Sequence, residues 1–368
     1  MPAPHPQTIP STPVPLKYVY CDSPATYASA VWVLRTAPYL ILDCEGYNLG
    51  RAGGCVTLIC VGTPFAEHIF LFDLLSPLIT GRDIYYLLHL LCDPTLLKVV
   101  WDGRMDFLEI ITSFGVALEG VLDLQVAEVA SRQIVRGEGD KDRLERLGRS
   151  YISQQLAKRS EQLQDLHAVI GLQRCWVDCG YAREVGKDRE SALSMLYILS
   201  IHKYRTAQVI SMHKNRGCDM WLRRPLTEQL LQYAAKDILL IGVLYPHFDR
   251  NGWIPKDDAG YNCLMRQCRR YISAHREQGK SSETDVFGPC SIMPLDTVTE
   301  PFGPLHRCHA CNRSLSVAAF SNCPGVAPSS PGSGSAPRYA ILRRPRCRLC
   351  SILAAKNSLK VDERWLVT

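Results

Sequence analysis

The sequence has no apolar run of the roughly 20 residues needed to cross a bilayer, and no apolar segment near its start. Residues 1–16 are rich in proline, threonine and serine, which reads as a disordered tail rather than a secretion signal. Both absences point to an intracellular protein, nuclear or cytoplasmic, with no membrane partner. A strong excess of one charge is also missing: 42 Lys and Arg against 36 Asp and Glu leave +6. That mild balance permits a polyanionic partner without demanding one. The glycine-rich stretch 46–54 (GYNLGRAGG) lacks the Gly-x-Gly-x-x-Gly spacing into a helix that a phosphate cradle needs. A connection between two strands is the simpler reading.

What remains is ordinary globular composition, 46% hydrophobic and 21% charged over 368 residues, enough for one large and one small domain. The unusual feature is 16 cysteines. In a reducing compartment these are core residues, metal ligands or nucleophiles. None has a persuasive histidine partner in sequence, which sets nucleophilic catalysis aside. Cys55 and Cys60 fall in strand patterns and read as core, and Cys175 and Cys179 as helical cysteines. Cys308-His-Ala-Cys311 and Cys347-Arg-Leu-Cys350 are different. Each Cys-x-x-Cys pair can grip one metal from a tight turn, and two pairs complete a tetrahedral, structural Zn²⁺ site of zinc-ribbon type. His309 and Cys323 are alternative ligands. The interval holds Ser-Pro-Gly-Ser-Gly-Ser at 330–335, a flexible insertion whose extra length costs little closure entropy. Arg307, Arg313, Arg338, Arg343, Arg344, Arg346 and Arg348 make this module basic, suited to nucleic-acid phosphate or to a protein contact.

Apolar patterning predicts strands at 17–20, 39–45, 56–61 and 68–74, hence a mixed sheet that starts with antiparallel pairs. Ser23 and Pro24 open a helix to about residue 35. A helix over 83–91 precedes a strand at 98–101. The next helix carries the stripe Phe107, Ile110, Ile111, Phe114 at i, i+3, i+4, i+7. Asp102 is placed to cap it, leaving Asp106 in the first turn spare. Asp123 ends a strand at 121–123 and caps a helix over 124–132. Residues 133–220 read as charged helices, including a long one at 190–215 with His202, Lys203, Arg205, His213 and Lys214, either a solvated face or a nucleic-acid ridge. Thr227 caps a helix that carries Tyr233 and Asp237, four apart and so on one face. Residues 251–300 read mostly as linker with one further helix within 253–275, and 301–358 as the zinc module.

The apolar run Leu40-Ile41-Leu42 ends in Asp43-Cys44-Glu45. Strand side chains alternate, so Asp43 and Glu45 point the same way. Two carboxylates that close repel unless a cation sits between them, and Mg²⁺ or Mn²⁺ takes such hard oxygen ligands. Asp-x-Glu alone is commonplace, as are Asp106 early in a helix and a Tyr-x-x-x-Asp pair.

Together, in this order, they resemble the DEDD superfamily of 3′–5′ exonucleases, in its ribonuclease D-like branch. That family's pattern is Asp-x-Glu on the first strand, Asp in a middle helix and Tyr-x-x-x-Asp near the end. The resemblance spans residues 17–250 and is strengthened by Val-Leu-Asp-Leu-Gln at 121–125 and Arg-Pro-Leu-Thr at 224–227. It is nearest to Egalitarian-like and fungal exonuclease-domain proteins. The tyrosine form is present; the histidine form would carry His where this chain has Gln232. The resemblance implies an α/β ribonuclease H-like fold, a mixed β-sheet flanked by helices, in which 133–220 is a charged insertion. It also implies two Mg²⁺ or Mn²⁺ ions held by Asp43, Glu45, Asp106 and Asp237. Tyr233 would orient a water for in-line attack on the terminal phosphodiester of RNA or single-stranded DNA, releasing a nucleoside 5′-monophosphate. A phenol of pKa ~10 is too weak a base to do more. The rival reading is a nucleic-acid-binding adaptor that keeps the fold without turnover.

Overall fold

The computed structural model describes residues 15–152, 163–181, 217–326, 339–360 and 364–368. The expected helix at 190–215, most of the 1–16 tail and the 330–335 insertion lie outside the described residues.

A six-stranded sheet is built from β1 (Val19–Cys21), β2 (Tyr39–Tyr47), β3 (Cys55–Gly62), β4 (Ile69–Asp73), β5 (Leu97–Val100) and β6 (Val121–Asp123). Its order is β1-β4-β3-β2-β5-β6. The pairs β2·β3 and β3·β4 are antiparallel, while β1·β4, β2·β5 and β5·β6 are parallel. Sequential strands joined by short loops pair antiparallel; those separated by a helix return parallel. The helix α1 (Pro24–Leu34) starts where expected, with the Ser23 hydroxyl accepting from the Thr26 N–H. α2 (Gly81–Leu91), α3 (Arg104–Phe114) and α4 (Leu124–Ile134) follow in turn. Asp123 caps α4 through the Gln125 N–H at 2.9 Å. Its carboxylate also accepts the N–H groups of Asp102 (3.1 Å) and Gly103 (2.9 Å). Asp102 is therefore not a cap for α3. It has a positive φ and grips Arg104 with both carboxylate oxygens, at 2.6 and 2.8 Å.

Beyond α4 come α5 (Asp140–Ser150), α6 (Leu172–Asp178), α7 (Glu228–Arg250) and α8 (Asp258–Ile272). Thr227 caps α7 as its sequence predicts. The Arg224 guanidinium grips Asp73 at the end of β4, Nη2 to Oδ1 at 2.6 Å with Asp73 buried, which fixes where α7 begins. α7 then lies against β2, β3 and β4. Gly62 allows this approach, since a Cβ there would fall 2.5 Å from Ile238 Cγ2. The main core joins Leu40, Leu42, Ile59, Phe72, Ile238 and Ile241.

A second core holds the C-terminal region. Here β7 (Leu305–Arg307) pairs with β8 (Ser314–Ser316), and β9 (Phe320–Val326) and β11 (Leu366–Val367) flank β10 (Tyr339–Cys347). Helix α9 (Arg348–Lys356) follows β10 directly. Two expectations change. Residues 251–300 are not a linker: α8 packs on β6, α4 and α3, and Ile292, Met293 and Leu295 are buried. Nor is the cysteine region self-contained, because Cys308, Cys347, Leu315 and Phe320 share one cluster with Leu147, Leu166, Ile292 and Leu295. Apolar residues too sparse to show a period in sequence are gathered by packing from three separate segments.

Candidate functional site

Asp43 and Glu45 lie on β2, opposite Cys60 and Leu58 of β3. Asp237 comes from α7, where the helix crosses the sheet. A carboxylate oxygen from each of these three residues lies within 4.8 Å of the others. All three are half-buried, so the cluster keeps an open side. Burial raises the Asp43 carboxyl well above its usual range, and Asp237 raises it further. Burial also raises Asp237, to about 6, against the opposing pull of Lys236 and a hydrogen bond from Tyr233. Three carboxylates held together at a cost of this kind form a donor set suited to a divalent cation, whose charge removes the penalty.

Asp106 sits on the first turn of α3 and is buried. It is not in the group of three whose oxygens lie within 4.8 Å. Its carboxyl is raised well above the usual range, first by burial and then by Asp43, so it feels the same pocket from the next element. Tyr233, one turn before Asp237, is hydrogen-bonded to it, and its phenol is raised, first by the Asp237 charge and then by burial. The tyrosine therefore stays protonated beside the carboxylates and acts as a hydrogen-bond donor.

The loop after β2 packs on α3. Gly50 has a positive φ of 68°, and a Cβ there would fall 2.6 Å from the Met105 sulfur. The Gly50 N–H donates to Glu109 at 2.9 Å. Glu109 is fully buried and pairs with Lys280 at 2.6 Å. Sequence reasoning missed this pair. Its one signal was an acidic residue three positions after Asp106, beside the apolar stripe of α3, and its partner lies 171 residues away.

Cys308, Cys311, Cys347 and Cys350 form the second cluster, with sulfurs within 4.8 Å of one another. All four are buried, at 0, 5, 1 and 1% exposure. Hydrogen bonds from the other thiols push Cys308 far down while Cys350 is pushed up. The Cys347 N–H donates to the Cys308 sulfur at 3.3 Å. Neither Cys323 nor His309 belongs to this set. The two pairs differ in setting. Cys308 and Cys311 lie between β7 and β8, but Cys347 ends β10 and Cys350 lies in the first turn of α9. Cys175 and Cys179 approach to 3.9 Å, and hydrogen bonds with Cys175 and then His247 lower Cys179 to about 6, but no metal-holding group of three among the described residues includes them.

No protein-family model and no curated protein matches the sequence. Solved structures do. The crystal structure of Trypanosoma brucei RNase D superposes with a TM-score of 0.50 at 23% identity, over 81% of this chain and 85% of that one. The chain has the fold of ribonuclease D. The same trypanosome protein in complex with RNA U12 gives 0.48 at 22% identity, over 81% and 83%. Escherichia coli RNase D, described as an exoribonuclease involved in structured RNA processing, gives 0.42 at 17%, over 71% of this chain and 51% of that one. On this ribonuclease D fold, Asp43 and Glu45 occupy the central strand β2 and Asp237 the helix that crosses it. None of the helices among the described residues is long and apolar enough to cross a membrane.

Proposed function

We propose that this chain is a metal-dependent 3′–5′ exonuclease of the tyrosine-form DEDD type, in the ribonuclease D-like branch and most similar there to the Egalitarian-like and fungal exonuclease-domain proteins. It hydrolyses the terminal phosphodiester of RNA or single-stranded DNA to a nucleoside 5′-monophosphate. The observation that carries this reading is the meeting of Asp43, Glu45 and Asp237, distant in sequence, with oxygens within 4.8 Å on a ribonuclease D fold.

Asp43, Glu45 and Asp237 would hold Mg²⁺ or Mn²⁺, with Asp106 completing the set for a second ion. Bound there, the ions supply compensation for the negative charge that develops on the phosphate and the leaving 3′ oxygen. The protein's own groups do the rest. Tyr233, kept protonated, donates a hydrogen bond and fixes the direction from which water approaches. The Arg104–Asp102 pair sits at the start of α3, and Glu109 and Lys280 tie the glycine loop to α3. The four cysteines fit Zn²⁺: four soft, buried sulfurs leave no open position, the mark of a structural site.

The test uses 5′-labelled RNA and DNA oligonucleotides with Mg²⁺ or Mn²⁺. A ladder shortening from the 3′ end, absent with EDTA and in Asp43→Ala, is the expected result. Tight binding with no ladder in either metal overturns the enzyme and leaves the adaptor.

A further inference from the structure

The two metal clusters are built from unrelated parts of the chain, yet one segment touches the surroundings of both. Residues 275–296 run as a strap between them. At one end, the Lys280 ammonium meets Glu109 at 2.6 Å and the Gly54 carbonyl at 3.0 Å. The Ala52 N–H donates to the Ser281 carbonyl at 3.0 Å. These contacts fix the glycine loop after β2 against α3, the helix of Asp106. In the middle, the Cys290 carbonyl accepts from Arg104 Nη1 at 3.3 Å. Arg104 is the first residue of α3, two before Asp106, and is buried. The strap also grips the cysteine region, from Glu277 beside Lys280 and from Leu295 and Asp296 at its far end. Glu277 accepts the Ser314 N–H at 3.1 Å, Asp296 accepts the Ser316 N–H at 2.6 Å, and Arg313 donates to the Leu295 carbonyl at 2.9 Å.

Where strap, α3 and cysteines meet there is a small cavity of about 20 Å³, room for one water. Arg104, His275, Cys290, Cys311 and Cys350 all line it. The His275 Nε2 is buried there without a partner, while its Nδ1 faces Gln278 at 3.1 Å. With a lone pair left over, Nε2 is an acceptor for such a water. Two thiols of the four-cysteine cluster thus line the same small cavity as Arg104, the first residue of α3.

We propose that the four-cysteine site anchors the catalytic pocket: metal held by the four thiols fixes the strap, and the strap, through Arg104 and Lys280, positions Asp106 and the glycine loop. Arg104 and Lys280 are positioning residues, since neither belongs to the carboxylate cluster. The inference rests on the nuclease reading for its consequence, but its readout is metal binding. The physical reason is that a carboxylate binds a cation tightly only if it is held in place beforehand; loss of such outer support costs ~10–100-fold in metal affinity or activity.

The experiment measures Mn²⁺ binding to the full chain by calorimetry, alongside kcat and KM for an RNA oligonucleotide. Three proteins are compared with wild type: the chain stripped of zinc with a zinc-selective chelator and then freed of chelator, Arg104→Met, and the double substitution Glu109→Gln with Lys280→Met. The double variant removes a buried pair together and so avoids stranding Glu109 as an uncompensated charge. The expected result is Mn²⁺ binding weakened by about tenfold or more in all three. Zinc stoichiometry stays unchanged in the substituted chains, and kcat falls while KM for RNA moves little. Adding zinc back restores the first protein, and Arg104→Lys recovers part of the loss. Should the zinc-free chain unfold, the two substituted proteins decide, because they keep all four thiols. Mn²⁺ affinity equal to wild type in them overturns the proposal. Wild type that binds Mn²⁺ but shortens no RNA overturns the nuclease reading alone, and wild type that binds no Mn²⁺ removes both.

Discussion

The carboxylate pocket and the cysteine cluster each bring ligands from distant segments to within 4.8 Å, but they solve opposite problems. The carboxylates are half-buried and mutually repelling, with an open side. The thiols are buried at 5% exposure or less and hydrogen-bond to one another. Hard oxygens around an open position suit a cation that must also meet substrate, whereas four soft sulfurs in a closed shell suit one that never leaves. On the proposed function, one cluster would spend stability to create a reactive place, and the other would supply stability to hold that place still.

The sharpest way to break this contrast is at Asp237. Asp237→Asn removes a pocket ligand and a source of repulsion together. RNA shortening should fall by about a thousandfold or more, matching the several kcal/mol that metal ions supply to such a step. Zinc content should be unchanged, and the melting temperature should not drop. A chain that unfolds instead would make Asp237 a structural residue and erase the difference between the clusters.

Next in size is Cys347→Ser. Elemental analysis should find about one zinc per chain in wild type and none in the variant. Urea titration should show stability lower by several kcal/mol, since metal binding at such sites is folding free energy. Because the second core includes Leu147 and Leu295 as well as the cysteines, the loss should extend past the cysteine region and appear as faster amide exchange in α5. Exchange confined to residues 301–356 would restore the picture of a separate module.

The smallest effect is a slope. Burial holds His275 down to about 4 from 6.5, helped by Arg104 and Arg313 and opposed by Gln278 and Asp102. A folded pKa below the unfolded one means that the unfolded chain takes up a proton first as pH falls. Stability is therefore complete above pH 6.5 and declines toward pH 4, by up to about 1.4 kcal/mol per pH unit for one such group. His275→Asn should flatten the dependence of melting midpoint on pH across that window by this amount. An unchanged slope would place the imidazole in solvent contact and remove it from the cavity it shares with Cys311 and Cys350.

Much of the first cluster was legible because it follows local rules. Alternation along β2 puts Asp43 and Glu45 on one face, and helical spacing puts Tyr233 and Asp237 together. The caps Ser23, Asp123 and Thr227 also follow from residue type at a helix start. Asp102 did not follow, because its carboxylate had a better partner in Arg104 than in the helix N-terminus, while Asp123 had already taken the N–H groups of Asp102 and Gly103. The linker expectation over 251–300 went astray for a similar reason: polar residues such as Lys280 and Asp296 pair with distant groups, and polarity in a sequence does not say whether its partner is water or protein.

The sequence by itself determined the ligand types, their spacing within each pair, and the order of strands and helices that carry them, since these depend on backbone period and side-chain chemistry alone. Tertiary structure decided which pairs meet, how open each cluster is, and that residues 275–296 run between the two. Those outcomes depend on contacts between segments more than a hundred residues apart, such as Lys280 with Glu109 and Arg104 with Cys290, and long-range packing leaves no local period in the chain from which to read it.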